Sequence, residues 1–290
     1  MRGTAARRRF GTGGLMEILL VVPLAALAWW GWGRWRRHRR GKIAARPLPA
    51  AWQDILERNV PLYRALPDEL KSELHGHVQL FLHDKTFEGF QGLEVTDEMR
   101  VTIAGNACIL LLNRSHDQYA NFSTIYLYPS TFVSQHTSQD GLVQSVGPQA
   151  RLGESWHRGP VVLSWDSALA GSRDIKDGHN VVLHEFAHKL DDADGAVDGA
   201  PILHQRSQYI SWARVMKREF EQLQREASAG TRTLLDHYGA TAPEEFFAVL
   251  VETFYEKPIQ LEQTHPDLYE EMRKCFRVDP ARWHERLRSD

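Results

Sequence analysis

The stretch VVLHEFAHKLD, residues 181–191, decides how the rest of this 290-residue chain is read. All but its last residue lie in a segment, Asn180 to Leu190, that reads as a helix, and residues four apart on a helix share a face. His184 and His188 can therefore offer two imidazoles to one metal ion. Glu185 stands beside the first of them. From there its carboxylate can reach a water on the metal, take a proton during attack on a peptide carbonyl, and return it to the leaving amine. With fourteen histidines in the chain a chance HExxH is the competing explanation. Against chance, the motif follows the apolar VVL and comes after PVVLSW (160–165), a strand beside which an extended substrate can lie.

A catalytic zinc needs three protein ligands and one open position. Asp194, six residues after His188, is one candidate, but the glycine that would let the chain turn between them is replaced by Asp191. The segment YGATAPEEFFAVLVETFY (238–255) offers Glu244, Glu245 and Glu252 instead. Thr241 or Ala242 would begin this helix, with Pro243 at its favoured first position. Glu245 shares a face with Ala248, Val249 and Glu252, whereas Glu244 points elsewhere. Spacing leaves a plainer reading open, in which Glu244 and Glu245 complement the positive end of the helix dipole.

Asp191, three residues beyond His188 and seven beyond His184, is placed to accept the second N–H of a ligand imidazole. Its alternative role is a polar helix end leading into DDADGAVDG (191–199). The spacing of Asp192, Asp194 and Asp198 there does not fit an EF-hand, so the loop reads as solvated.

The surrounding composition is that of a globular protein, with 42% apolar residues and a formal net charge of −2. Such a balance does not point to nucleic acid. Cys108 and Cys275 are far apart and form no CxxC pair, which excludes a cysteine zinc site and suits a reducing compartment. Charge is unevenly spread, since Arg2, Arg7, Arg8 and Arg9 precede the apolar run Met16–Gly33 and six basic residues from Arg34 to Lys42 follow it.

That run reads as a membrane-spanning or membrane-anchoring helix at 16–33. It has tryptophans 29, 30, 32 and 35 at its C-terminal end and the following basic cluster on the cytoplasmic side. The rival is a cleaved signal containing RRRF (7–10). The expected organisation is thus a basic N-terminus (1–15), the apolar helix (16–33), a basic and Pro/Ala linker (34–50), and one domain over 51–290 in the cytoplasm, anchored to the inner membrane of a bacterium. A start downstream of the run would leave it soluble.

Within that domain, apolar spacing predicts helix from Pro61 to His83. A buried helix or strand is expected over Met99–Leu112 behind a Thr96 cap. FSTIYLYPSTFV (122–133) and PVVLSW read as strands, and Tyr209–Ala227, Pro243–Tyr255 and Pro266–Phe276 as helices. A small sheet followed by helices is an α+β order.

HEFAHKLD, with GESWHRGPVVLSW before it and YGATAPEEFFAVL after it, resembles the Mlc titration factor A family of zinc peptidases. The likeness spans about Trp52 to Pro280, with Ser134–Ala150 divergent. It implies a zincin-like fold, one zinc ion per chain on His184, His188 and Glu245, and Glu185 as base. It also favours Glu245 over Asp194. Tyr238, seven residues before Glu245, matches a tyrosine of the family and is placed to donate to a developing oxyanion; its plainer reading is a packed aromatic.

Two functions follow. One is an endo- or aminopeptidase acting on a peptide or protein substrate. The other, carried by the resemblance alone, is a regulatory protein that sequesters a transcriptional repressor. A purely structural zinc site is disfavoured, because such sites close with four protein ligands.

Overall fold

The computed structural model describes residues 13–130 and 159–287, with side chains from 29 to 285. The first arginines, residues 131–133 of the strand expected over 122–133, Ser134–Ala150 and most of GESWHRG lie outside the described residues. The chain divides into two units, Met1–Arg46 and Pro47–Asp290.

Among its described residues the first unit holds one helix, α1 (Gly13–Ala44), which runs on through the arginine cluster. Trp29, Trp30, Trp32 and Trp35 are exposed on it. The guanidinium groups of Arg34 and Arg39 lie 5.9 Å from the centre of the Trp30 ring and 5.6 Å from that of the Trp35 ring. The membrane-spanning segment expected at 16–33 is not supported, because no helix among the described residues is long and apolar enough to cross a membrane. The run is short for a span, since at about 1.5 Å per residue it covers about 27 Å of a hydrocarbon core about 30 Å thick. Tryptophan, glycine and arginine then dilute its end.

The second unit is mostly helical with a small parallel sheet. It opens with α2 (Ala50–Asn59), α3 (Pro61–Ala65) and α4 (Asp68–Asp84). The helix expected from Pro61 to His83 is broken at Leu66, which is extended because Pro67 follows it. Strand β1 (Thr86–Gly89) comes next, then α5 (Asp97–Ile109), whose start is capped by Thr96 through a bond from the Met99 N–H. Strands β2 (Thr124–Tyr128) and β3 (Val161–Ser164) complete a sheet ordered β1-β2-β3, parallel throughout, with Phe87 opposite Ile125 and Leu127 opposite Leu163. Parallel neighbours cannot be joined by a hairpin, and α5 supplies the crossover from β1 to β2.

Alternation along β2 sends Ile125 and Leu127 into the core, while Tyr126 and Tyr128 pack on Phe90 from the other face. After β3 the chain is helical: α6 (Trp165–Arg173), α7 (Val181–Asp191), α8 (Gln208–Ser228), α9 (Pro243–Glu256), α10 (Pro258–Thr264), α11 (Pro266–Phe276) and α12 (Pro280–Leu287). Proline opens α9, α10 and α11, where its missing N–H is no loss.

Helix α7 is split lengthwise by its sequence. Val182, Leu183, Phe186, Ala187 and Leu190 are buried. Phe186 packs within an aromatic cluster of Phe81, Tyr119 and Phe122, with ring centres 5.3 to 5.7 Å away. Burying that face fixes the roll of the helix, so His184 and His188 must point the opposite way, toward α9. Helix α9 is buried from Phe246 to Glu256 and forms the other wall.

Candidate metal centre

The start of α7 is set by Asn180, which is fully buried. Its Oδ1 accepts from the N–H groups of Val182 and Leu183, at 3.1 Å each, closing the first turn. Its Nδ2 donates to Asn106 Oδ1, the Gly171 carbonyl and Glu256 Oε1, so one side chain ties the helix start to α5, α6 and α9. One turn further on, the rings of His184 and His188 meet edge to face, at 81° to one another with centres 4.9 Å apart. Their Nε2 atoms are 3.3 Å apart.

Glu245, in the first turn of α9, brings Oε2 to 3.1 Å from His184 Nε2 and 3.5 Å from His188 Nε2. These three residues form the one group of histidine, cysteine or acidic side chains among the described residues whose donor atoms, all within 4.8 Å of one another, can hold an ion. Their separations suit zinc: bonds of about 2.0–2.1 Å in a tetrahedron place the ligand atoms about 3.3–3.4 Å apart. Two imidazoles and one carboxylate also form a known catalytic donor set that leaves a fourth position open.

The electrostatics favour a cation here. Burial works against a charged His184, but the hydrogen bonds to Glu245 and Glu252 and the charges of Glu252 and Glu185 outweigh it and raise the imidazole to about 10. Burial likewise opposes ionisation of Glu245, and the two histidines overcome it, holding that carboxyl far below its usual range.

Glu185 is half-buried on α7, and its charge is felt by both His184 and Tyr238. Tyr238 sits in a 3-10 turn, His237–Ala240, capped by Asp236 through a 2.7 Å bond from the Tyr238 N–H. Its ring centre is 6.0 Å from that of His184. Its phenol is held well above its usual range, first by burial and then by the charge of Glu245 and a hydrogen bond to it. It is nonetheless 41% exposed, so it is not an ordinary core aromatic.

Other candidates take different places. Asp194 is exposed and accepts from the Ala196 N–H, turning the loop on itself. Glu244 stays outside the group. Asp191 does not reach a ligand imidazole: it is fully buried, and its two oxygens accept the N–H groups of Gly199 at 2.9 Å and Ala200 at 2.8 Å. Burial pushes it up to about 6 against those bonds. Glu252 occupies the place expected for Asp191, with Oε1 2.8 Å from His184 Nδ1. Sequence signalled Glu252 only through its seven-residue offset from Glu245, one α9 face holding both.

Residues 32–277 match the model of a family described as glucose-regulated metallo-peptidase M90. Among curated proteins, an uncharacterized protein of Synechocystis sp. is 40% identical over 266 residues, covering 91% of this chain and 97% of its own. Mlc titration factor A of Serratia proteamaculans is 34% identical over 246 residues, 83% of this chain and 92% of its own. The protein of that name from Pectobacterium atrosepticum is 33% identical over 234 residues, 79% and 86%.

Proposed function

The chain belongs to the glucose-regulated metallo-peptidase M90 family, and from that premise we propose that it hydrolyses peptide bonds in a peptide or protein substrate, using one zinc ion held by His184, His188 and Glu245. The supporting observation is the convergence of two Nε2 atoms and one carboxylate oxygen at 3.1 to 3.5 Å. A zinc ion bound there supplies the Lewis acid that polarises the scissile carbonyl and makes water a nucleophile near neutral pH.

The protein's own groups do the rest. Glu185 takes the proton of the attacking water on its carboxylate and hands it to the leaving amine nitrogen. Tyr238, whose phenol keeps its proton because of burial and the surrounding carboxylates, donates its O–H to the oxygen that gains charge. Whether the chain trims amino ends or cuts internally depends on how substrate lies beside these groups.

The test uses the full chain loaded with zinc and a mixed peptide library. Cleavage by the wild type and its loss in Glu185→Gln at equal zinc content support the reading. Zinc content without cleavage by the wild type removes the peptidase reading. A second function then comes forward: two relatives carry the name Mlc titration factor A, which suggests capture of a transcriptional repressor. Such binding is unaffected by Glu185→Gln, because that substitution changes neither shape nor metal ligands.

A further inference from the structure

Glu252 is buried, lies two turns beyond Glu245 on α9, and has both carboxylate oxygens engaged. Oε1 is 2.8 Å from His184 Nδ1, and Oε2 accepts the backbone N–H of Asn180 at 2.5 Å. Asn180 in turn caps the helix that presents His184. A backbone N–H can only donate, so the site needs an acceptor for it, and a second acceptor for whatever hydrogen stands on Nδ1. The Glu252 carboxylate supplies one acceptor oxygen to each.

We propose that Glu252 is a positioning residue of the metal centre, accepting the Nδ1–H of His184 and so holding the ring in the tautomer whose Nε2 lone pair faces His188 and Glu245. The proposal rests on the reading of those three residues as metal ligands. The two nitrogens of one ring then face two carboxylates of one helix, Nδ1 donating to Glu252 and Nε2 lying beside Glu245. Sliding α9 against α7 by one turn, about 5.4 Å, breaks both contacts together. Through Asn180 the same carboxylate registers the first turn of α7, so ring orientation and helix start are set by one group.

The experiment compares the full wild-type chain with Glu252→Gln, a near-isostere that aims an amide N–H₂ at one of two donors. Zinc affinity is read by competition with a chelator, and His184 by ¹H–¹⁵N spectra of ring-labelled, zinc-loaded protein. The expected result is an affinity about 10–100-fold weaker in the variant. In the wild type, the expected spectrum shows a slowly exchanging proton on His184 Nδ1.

Equal affinity in the two proteins, with the fold intact by circular dichroism, overturns the positioning role while leaving the metal centre standing. A wild-type chain that takes up no zinc overturns the metal reading and this proposal with it. If the variant does not fold, the wild-type spectrum alone decides: a proton on Nε2, with Nδ1 toward the metal, overturns the assignment.

Discussion

Gly199 lies so close to Pro243 that a Cβ added to it would stand 2.6 Å from the Pro243 carbonyl oxygen. The glycine has φ +76°, its N–H bonds to Asp191, and its carbonyl accepts from Trp212. The loop that leaves α7 is thereby clamped onto the first turn of α9, where Glu245 sits. Gly199→Ala meets both a left-handed backbone and a backbone clash, so it should lower stability by about 1–3 kcal/mol. Chemical denaturation measures that loss, and zinc affinity should fall with it because Pro243 opens the helix that carries Glu245.

Asp191→Ala should destabilise through the same clamp. It strands the backbone N–H of Gly199, at a cost of about 1–3 kcal/mol if that group stays dry, and leaves the N–H of Ala200 to its longer bond with Asp198 Oδ1 at 3.2 Å. Asp191→Asn keeps one acceptor and should fall between the two. Thermal melts of the three proteins order them, and an alanine variant as stable as wild type refutes the clamp.

Glu185 and Phe186 are neighbours in sequence with opposite duties. Glu185→Gln should leave stability and zinc content nearly unchanged and lower kcat by about 10²–10⁴-fold. Phe186→Ala empties the centre of an aromatic cluster and should cost about 3–5 kcal/mol. Paired measurements of melting and peptide hydrolysis separate the two effects.

Tyr238→Phe removes one O–H and little packing. It should lower kcat by up to about 10²–10³-fold while leaving zinc content unchanged. An unchanged kcat would return Tyr238 to a packing role.

Glu256 gives the chain a pH signature. Burial pushes its carboxyl up to about 9 despite the bond from Asn180, with Glu252, Asp177 and Asp174 adding to the rise. The native state therefore keeps a proton that the unfolded chain gives up near 4.5. More protons on the native state mean that stability falls as pH rises between those two values, and is greatest below the lower one. Glu256→Gln keeps the acceptor for Asn180 and carries no charge, so it should flatten that slope. Denaturation midpoints at about pH 5, 7 and 9 should show the variant gaining on the wild type at each step.

Much of this arrangement is written locally. Val181–Asp191, Pro243–Glu256 and Pro266–Phe276 fall where caps, prolines and apolar spacing put them. HExxH, being a within-helix spacing, fixes two of the three converging atoms. Strand β1 is not legible in the same way, because four residues, TFEG, mostly facing outward, make no pattern of their own; pairing with β2 creates the strand. The exchange of roles between Asp191 and Glu252 is equally hidden. From α7 alone Asp191 shares a face with His188, and only the approach of α9 shows which carboxylate reaches the ring. The cap Asn180 stands before the motif, but its bonds to Asn106 and Glu256 span 74 and 76 residues, beyond any local pattern.

Helices α7 and α9 meet around one point, with His184 and Glu245 separated by 61 positions in the chain. An ion gripped there acts as a removable cross-link. Free zinc at about 100 times its dissociation constant would add about 2.7 kcal/mol to the native state. Metal supply would then govern not only turnover but also how long each molecule survives proteolysis.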